Sequence, residues 1–155
     1  PSLSRKYGLG QQPWHMDMAH KIDPARFLLM GMYDCDGDVA PTELLDGRTF
    51  TESEVATDMQ SEPFLFRCGS GSFYGTILSK ARSFVRFDPG CMEPVADSGK
   101  ALLDLLVEQG KAATYSHTWQ PGSILIVDNW KLLHRRGNAH AMTDRVLYRV
   151  SVSGE

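Results

Sequence analysis

Apolar residues along this chain fall mostly in short runs broken by glycine, proline and acidic turns. Arg26–Cys35 (RFLLMGMYDC) is dense in apolar residues and runs into Asp36-Gly37-Asp38 and Pro41, so it reads as a buried strand ended by a turn. Phe64–Arg67, Ser83–Phe87 (ended by Asp88-Pro89-Gly90), Ala113–Trp119, Ser123–Asp128 (SILIVD) and Val146–Val152 (VLYRVSV) are strand-like by the same signs, while Gly69–Gly75 (GSGSFYG) reads as a loop. Two helices are predicted. Ser98–Gln109 has Asp97 or Ser98 as a cap, a broad apolar face of Leu102, Leu103, Leu105, Leu106 and Val107, and Gly110 as a stop. Thr51–Met59 is the shorter one, with Thr51 and Glu54 at the spacing of a capping box. Many short strands, turn residues between them and one strong helix predict a mainly β fold with helices, an antiparallel double-sheet jelly roll.

Composition narrows the class. The 155 residues make one domain, residues 1–155, large enough to bury a hydrophobic core. A formal net charge of −3 and no basic run leave no electrostatic case for nucleic acid. No apolar run approaches the roughly 20 residues that span a bilayer, and the stretch before Trp14 lacks the apolar core of a signal peptide. Cys35, Cys68 and Cys91 are odd in number and widely spaced, which argues against a disulfide framework or a thiolate zinc site and for a reducing, cytoplasmic setting. The chain begins at Pro1, as a processed, trimmed or excised piece of a longer protein does.

The candidate chemistry starts at His15-Met16-Asp17. On a strand, residues i and i+2 face the same side, so an imidazole and a carboxylate two apart can reach one metal. Two histidines and a carboxylate on one face of an iron(II) ion leave positions open for further ligands. His134, beyond the strand SILIVD and the turn-like Asn129-Trp130, is the candidate for the third ligand. Other groups carry less. Asp34-Cys35-Asp36-Gly37-Asp38 fails the EF-hand pattern, since its glycine comes too early and position twelve is Leu45. GSGSFYG lacks the lysine of a phosphate loop. His20 is poorly spaced from His15, and His117 and His140 have no nearby partner set.

From Pro121 the chain reads PGSILIVDNWKLLHRRG, followed by Thr143-Asp144-Arg145-Val146-Leu147-Tyr148-Arg149. With Trp14-His15-Met16-Asp17 upstream, these elements closely resemble, in order, those of the taurine dioxygenase/clavaminate synthase-like superfamily of Fe(II)/2-oxoglutarate oxygenases. The resemblance implies a double-stranded β-helix that binds Fe(II) through His15, Asp17 and His134, and uses 2-oxoglutarate and O2 to hydroxylate a C–H bond of a small polar metabolite. It implies that Arg145, or else Arg149, pairs with the distal carboxylate of 2-oxoglutarate, with help from the Thr42 hydroxyl. A guanidinium fork matches a carboxylate and stays charged when buried. Arg149 is also a candidate for an anionic group of the substrate, and Arg136 for support of its loop. Asp17 favours hydroxylation over halogenation, because halogenases of this fold generally lack the carboxylate. Ala40-Pro41-Thr42 leans towards the branch that hydroxylates amino acids. Trp14, Met16, Asn129 and Trp130 flank the ligands and are expected to line the pocket. Only fourteen residues precede His15, fewer than the family usually carries, so a homo-oligomer or a further N-terminal segment is expected to complete the barrel. Two readings of another class stay open: a non-catalytic metal-binding jelly roll, and a zinc or manganese cupin-like hydrolase or isomerase using the same three ligands.

Overall fold

The computed structural model describes residues 3–35, 37–51, 54–69, 71–78, 84–110, 115–142 and 146–153. In chain order the elements are α1 (Leu3–Tyr7), β1 (Phe27–Met32), β2 (Thr42–Asp46), α2 (Arg48–Thr51), α3 (Ala56–Ser61), β3 (Phe64–Cys68), β4 (Gly71–Gly75), β5 (Met92–Pro94), α4 (Asp97–Gln109), β6 (Tyr115–His117), β7 (Ile124–Asp128), β8 (Leu132–Arg136) and β9 (Leu147–Val152).

Alternation builds the first sheet. In β1, Leu28, Met30 and Met32 are buried and the residues between them are half-exposed, as one face of an antiparallel strand meets a core. β1 lies between β7 and β9, with Met30 opposite both Leu125 and Arg149. The second sheet places β2 between β6 and β8, with Thr42 opposite His117 and Arg136, and Leu44 opposite His134. Leu28, Met30, Met32 and Val127 of the first sheet share one apolar cluster with Leu44 of the second, closed by Val39 and Trp119. These are the two facing antiparallel sheets of the jelly roll that the strand pattern predicts.

A third sheet, β4-β3-β5, packs with α4 beside them. Phe64, Phe66, Met92, Leu102 and Leu106 form a second cluster that extends to Trp14 and Met16, the neighbours of His15. Burying Phe64 and Phe66 contributes about 2–3 kcal/mol each. The indole N–H of Trp14 donates to the Gly110 carbonyl at the end of α4. Gly47 must be glycine: a Cβ there would stand 2.6 Å from the Lys131 carbonyl oxygen, to which its own N–H donates at 2.7 Å. That close approach fixes the turn after β2 against the turn before β8.

Several local expectations need correction. The predicted helix 51–59 is two short ones; Thr51 ends α2, and α3 begins after Val55 with no side-chain cap. A strand stands within the expected loop Gly69–Gly75. Gly71–Gly75 is strand β4 paired to β3, where Phe73 stacks on Phe66 at a centroid distance of 5.4 Å. Of Ser83–Phe87, the described residues 84–87 hold a single bridge, Leu78 to Val85, and no strand. The cap of α4 is Ala96, without a side-chain bond, and Gly110 ends it as expected. Its apolar face is narrower than predicted, since Leu105 and Val107 are exposed. β2, β5, β8 and α1 had no signal strong enough to be predicted.

The outer face of the first sheet is apolar and open. Ile124 and Ile126 of β7 are 68% and 63% exposed, and Tyr148, Val150 and Val152 of β9 share that face. No described helix is long and apolar enough to cross a membrane.

Candidate metal centre

His15 and His134 face each other across a bridge between two segments far apart in sequence. The His15 N–H donates to the His134 carbonyl at 3.1 Å, and the reverse bond is 2.9 Å. Their rings lie 4.4 Å apart between centroids. His134 is carried by β8, but His15 lies in a bridge and Asp17 in the turn after it, so no regular strand presents the pair. One oxygen of Asp17 lies 3.8 Å from His15 Nε2 and 3.4 Å from His134 Nε2. One ligand atom from each of the three residues fits within 4.8 Å of the others, and among the described residues no other His/Cys/Asp/Glu group meets that criterion.

The donor atoms are poised to coordinate. His15 Nδ1 stands 3.0 Å from the Pro13 carbonyl. A carbonyl only accepts, so Nδ1 carries the hydrogen and Nε2 keeps its lone pair towards Asp17 and His134. Both ring nitrogens of the buried His134 lack a hydrogen bond, a costly condition for an interior polar group. Burial, and then the neighbouring His134, hold the His15 pKa down at about 3, so this imidazole is neutral at pH 7. Burial raises the Asp17 pKa, but the interactions with His134, Arg149 and His15 outweigh it and keep the carboxylate ionised. Two imidazole nitrogens and one anionic oxygen form a ligand set that suits a divalent iron ion.

The remaining candidates are placed as follows. Arg149, on the inner face of β9, sets its guanidinium against Asp17, with Nη1 at 2.9 and 3.1 Å from the two carboxylate oxygens. Thr42 is buried on the inner face of β2, where its hydroxyl accepts from the Trp119 indole at 3.0 Å. Arg145 lies outside the described residues. Arg136 donates to the Gly8 and Gly10 carbonyls, which anchors the segment leading to His15. Trp14 and Met16 are buried in the second cluster, and Trp130 leans on it beside Phe84. His20 and His117 are half-buried and His140 is exposed; none joins the three-residue group.

Two residues have parts here that the sequence did not assign them: Asn129, expected to line the pocket, and Arg86. Asn129 is buried and spends its whole side chain on backbone: Oδ1 accepts from the Asp17 N–H, and Nδ2 donates to the carbonyls of Asp17 and Ala25. Arg86 is buried among Phe66, Phe73 and Phe84 and donates to the carbonyls of Ala19, Lys21 and Ile22. An arginine inside the apolar run SFVRF was the available hint.

A jelly roll that brings two histidines and a carboxylate together has the ligand set that the class of non-haem iron proteins uses. The sequence matches the family described as "Taurine catabolism dioxygenase TauD, TfdA family" over residues 68–151, just over half of the chain, and the chain belongs to that family. No curated protein matches it in sequence. Among solved structures, an asparagine oxygenase in complex with Fe(II), 3-hydroxyasparagine and succinate superposes with a TM-score of 0.75 at 20% identity, covering 94% of this chain and 51% of that one. The non-haem iron oxygenase OrfP, in complex with Fe and α-ketoglutaric acid, gives 0.72 at 20% identity, covering 94% and 50%. PvcB from Pseudomonas aeruginosa gives 0.72 at 19% identity, covering 97% and 60%. The chain therefore spans about half the length of the first two and three-fifths of the third.

Proposed function

We propose that this chain is the catalytic core of an Fe(II)- and 2-oxoglutarate-dependent dioxygenase that hydroxylates a C–H bond of a small, polar, amino-acid-like substrate. The observation that carries the reading is the His15, Asp17 and His134 triad, with the His134 ring buried and its Nε2 3.4 Å from an Asp17 carboxylate oxygen. In this reading the three side chains hold iron. The metal with 2-oxoglutarate and O2 supplies the oxidising chemistry, and succinate and carbon dioxide are released. The chain's own residues bind, orient and exclude water. Thr42 and Arg145 hold the distal carboxylate of 2-oxoglutarate, and Arg149 contributes positive charge beside the triad. Family membership supports the cofactor set. The amino-acid substrate is supported by the asparagine oxygenase and by OrfP, which has been crystallised with Fe, succinate and (3R,4R)-dihydroxy-L-Arg.

The test needs no substrate. Fe(II) and then 2-oxoglutarate are added to the metal-free protein without oxygen, and the visible spectrum is recorded. A weak charge-transfer band that saturates with 2-oxoglutarate is expected, and His134→Ala is expected to lose both the band and iron binding. Iron bound without any band points to a metal-binding jelly roll or a hydrolase, and undiminished iron binding by His134→Ala sinks the ligand assignment.

A further inference from the structure

Asp17 opens a turn that its own sequence does not favour. The next residue, Met18, has φ +61°, the left-handed region in which a non-glycine side chain is strained. A turn of this kind persists only where its surroundings over-determine it. Here the surroundings are two buried side chains. Arg86 takes three carbonyls in the middle of the turn, those of Ala19, Lys21 and Ile22. Asn129 takes both ends, with bonds of 2.8 Å from the Asp17 N–H, 3.0 Å to the Asp17 carbonyl and 2.8 Å to the Ala25 carbonyl. Asn129 is itself fixed, since its own N–H donates to the Arg26 carbonyl at 2.7 Å.

The bonds to Asp17 act on the peptide groups on either side of one Cα. With both held by a single amide, the direction of the Asp17 Cα–Cβ bond is set, and two side-chain torsions remain to aim the carboxylate. Asn129 also sits in the short connection between β7 and β8, three residues before the strand that carries His134. The connection from β7 in the first sheet to β8 in the second thus supplies the group that aims the second candidate ligand and leads into the strand that carries the third.

We infer that Asn129 is a positioning residue for the metal centre: it holds the Asp17 backbone so that the carboxylate meets the two imidazoles, and it does so without touching the metal. The inference rests on the proposed role of His15, Asp17 and His134. Residues that orient metal ligands typically change metal affinity by about 10- to 100-fold when removed.

The experiment uses the full chain and Co(II) alone, whose visible d–d spectrum reports coordination geometry, alongside circular dichroism and thermal unfolding without metal. The parent protein is expected to bind Co(II), and His134→Ala to lose it; a parent that does not bind overturns the metal reading, whatever Asn129 does. Given a binding parent, Asn129→Ala is expected to stay folded at low temperature, bind Co(II) about 10- to 100-fold more weakly, and show an altered d–d spectrum. Met32→Ala, destabilised in the other apolar cluster at the end of β1 away from the turn, is expected to keep the parent affinity and spectrum. Asn129→Asp serves if the alanine variant does not fold; it keeps the acceptor for the Asp17 N–H, lacks the two donors, and is expected to show the same altered spectrum. Parent-like affinity and spectrum in the folded Asn129 variant, or loss of fold in both variants, overturns the positioning role.

Discussion

Arg149→Met offers a prediction with two opposite signs. The Arg149 guanidinium and the Asp17 carboxylate are in direct contact at 2.9 Å, the arginine side chain being 47% exposed and the aspartate 14%. Two unit charges about 4 Å apart attract by about 4 kcal/mol at an effective dielectric of about 20. Because the arginine is half in water, most of that is screened or offset by desolvation, and about 1 kcal/mol remains. Methionine keeps much of the stem and removes the charge, so the metal-free chain is expected to lose about 1 kcal/mol. For a domain of this length that lowers Tm by about 2–4 °C. Affinity for a divalent metal moves the other way. The guanidinium neutralises the same carboxylate and repels an incoming cation, so its removal is expected to tighten metal binding, by roughly fivefold for about 1 kcal/mol. Thermal unfolding without metal and calorimetric titration with Mn(II) or Co(II) separate the two effects. Weaker metal binding by Arg149→Met, or an unchanged metal-free Tm, refutes the reasoning.

Two further predictions concern the whole chain. His15 has its pKa held at about 3 in the folded protein against 6.5 as an unperturbed group, so between those values the unfolded chain binds a proton that the folded chain does not. Metal-free stability is therefore full above about pH 6.5 and falls as the pH drops towards 3, by up to about tenfold in the folding equilibrium per pH unit. Asp17, also depressed, adds a loss below the ordinary carboxylate range. Urea midpoints measured from about pH 7.5 down to about pH 4.5 test this, and a flat series contradicts it. Separately, the open apolar face of the first sheet is expected to bind a hydrophobic dye such as ANS. The double substitution Ile126→Lys and Val150→Lys should reduce that signal severalfold; an undiminished signal places the dye elsewhere.

His15, Asp17 and His134 were legible because each stands in a short motif and the motifs together, in order, resemble those of one superfamily; His-x-Asp alone is a weak signal, and the fold brings the three residues together. The sequence reading did not reach the relation between Arg149 and Asp17, because that contact depends on how β9 lies over the turn after His15, across 132 positions of chain. Asn129 was visible as a neighbour of the turn but not as its clamp, for the same reason. The strand β4 was hidden by its glycines and serines. It forms because Phe73 stacks on Phe66 and five residue pairs lie in register with β3, a tertiary effect that overrides local propensity. β8 reads as Leu-Leu-His-Arg-Arg, and its polar residues hid a strand that sets His134 and Arg136 on one face and Arg135 on the other. Thr51 and Glu54 have the spacing of a capping box, yet Thr51 closes one helix instead of opening another. The leucines of α4 were over-read, since only Leu102 and Leu106, four apart, are deeply buried.

The bridge between His15 and His134 has a consequence for the order of events during synthesis. The partners of the centre come from opposite ends of the chain; Asp17 and Asn129, for instance, are separated by 112 positions. Contacts of such separation form late, after the loop between them has closed. On the proposed reading, a nascent chain whose last emerged residue precedes β8 has His15 and Asp17 but lacks His134, so the three-residue group is incomplete until β8 has joined it. Loading then belongs to the finished fold, and any ion held there stabilises the native state by mass action, by about 4 kcal/mol at a thousandfold excess over Kd.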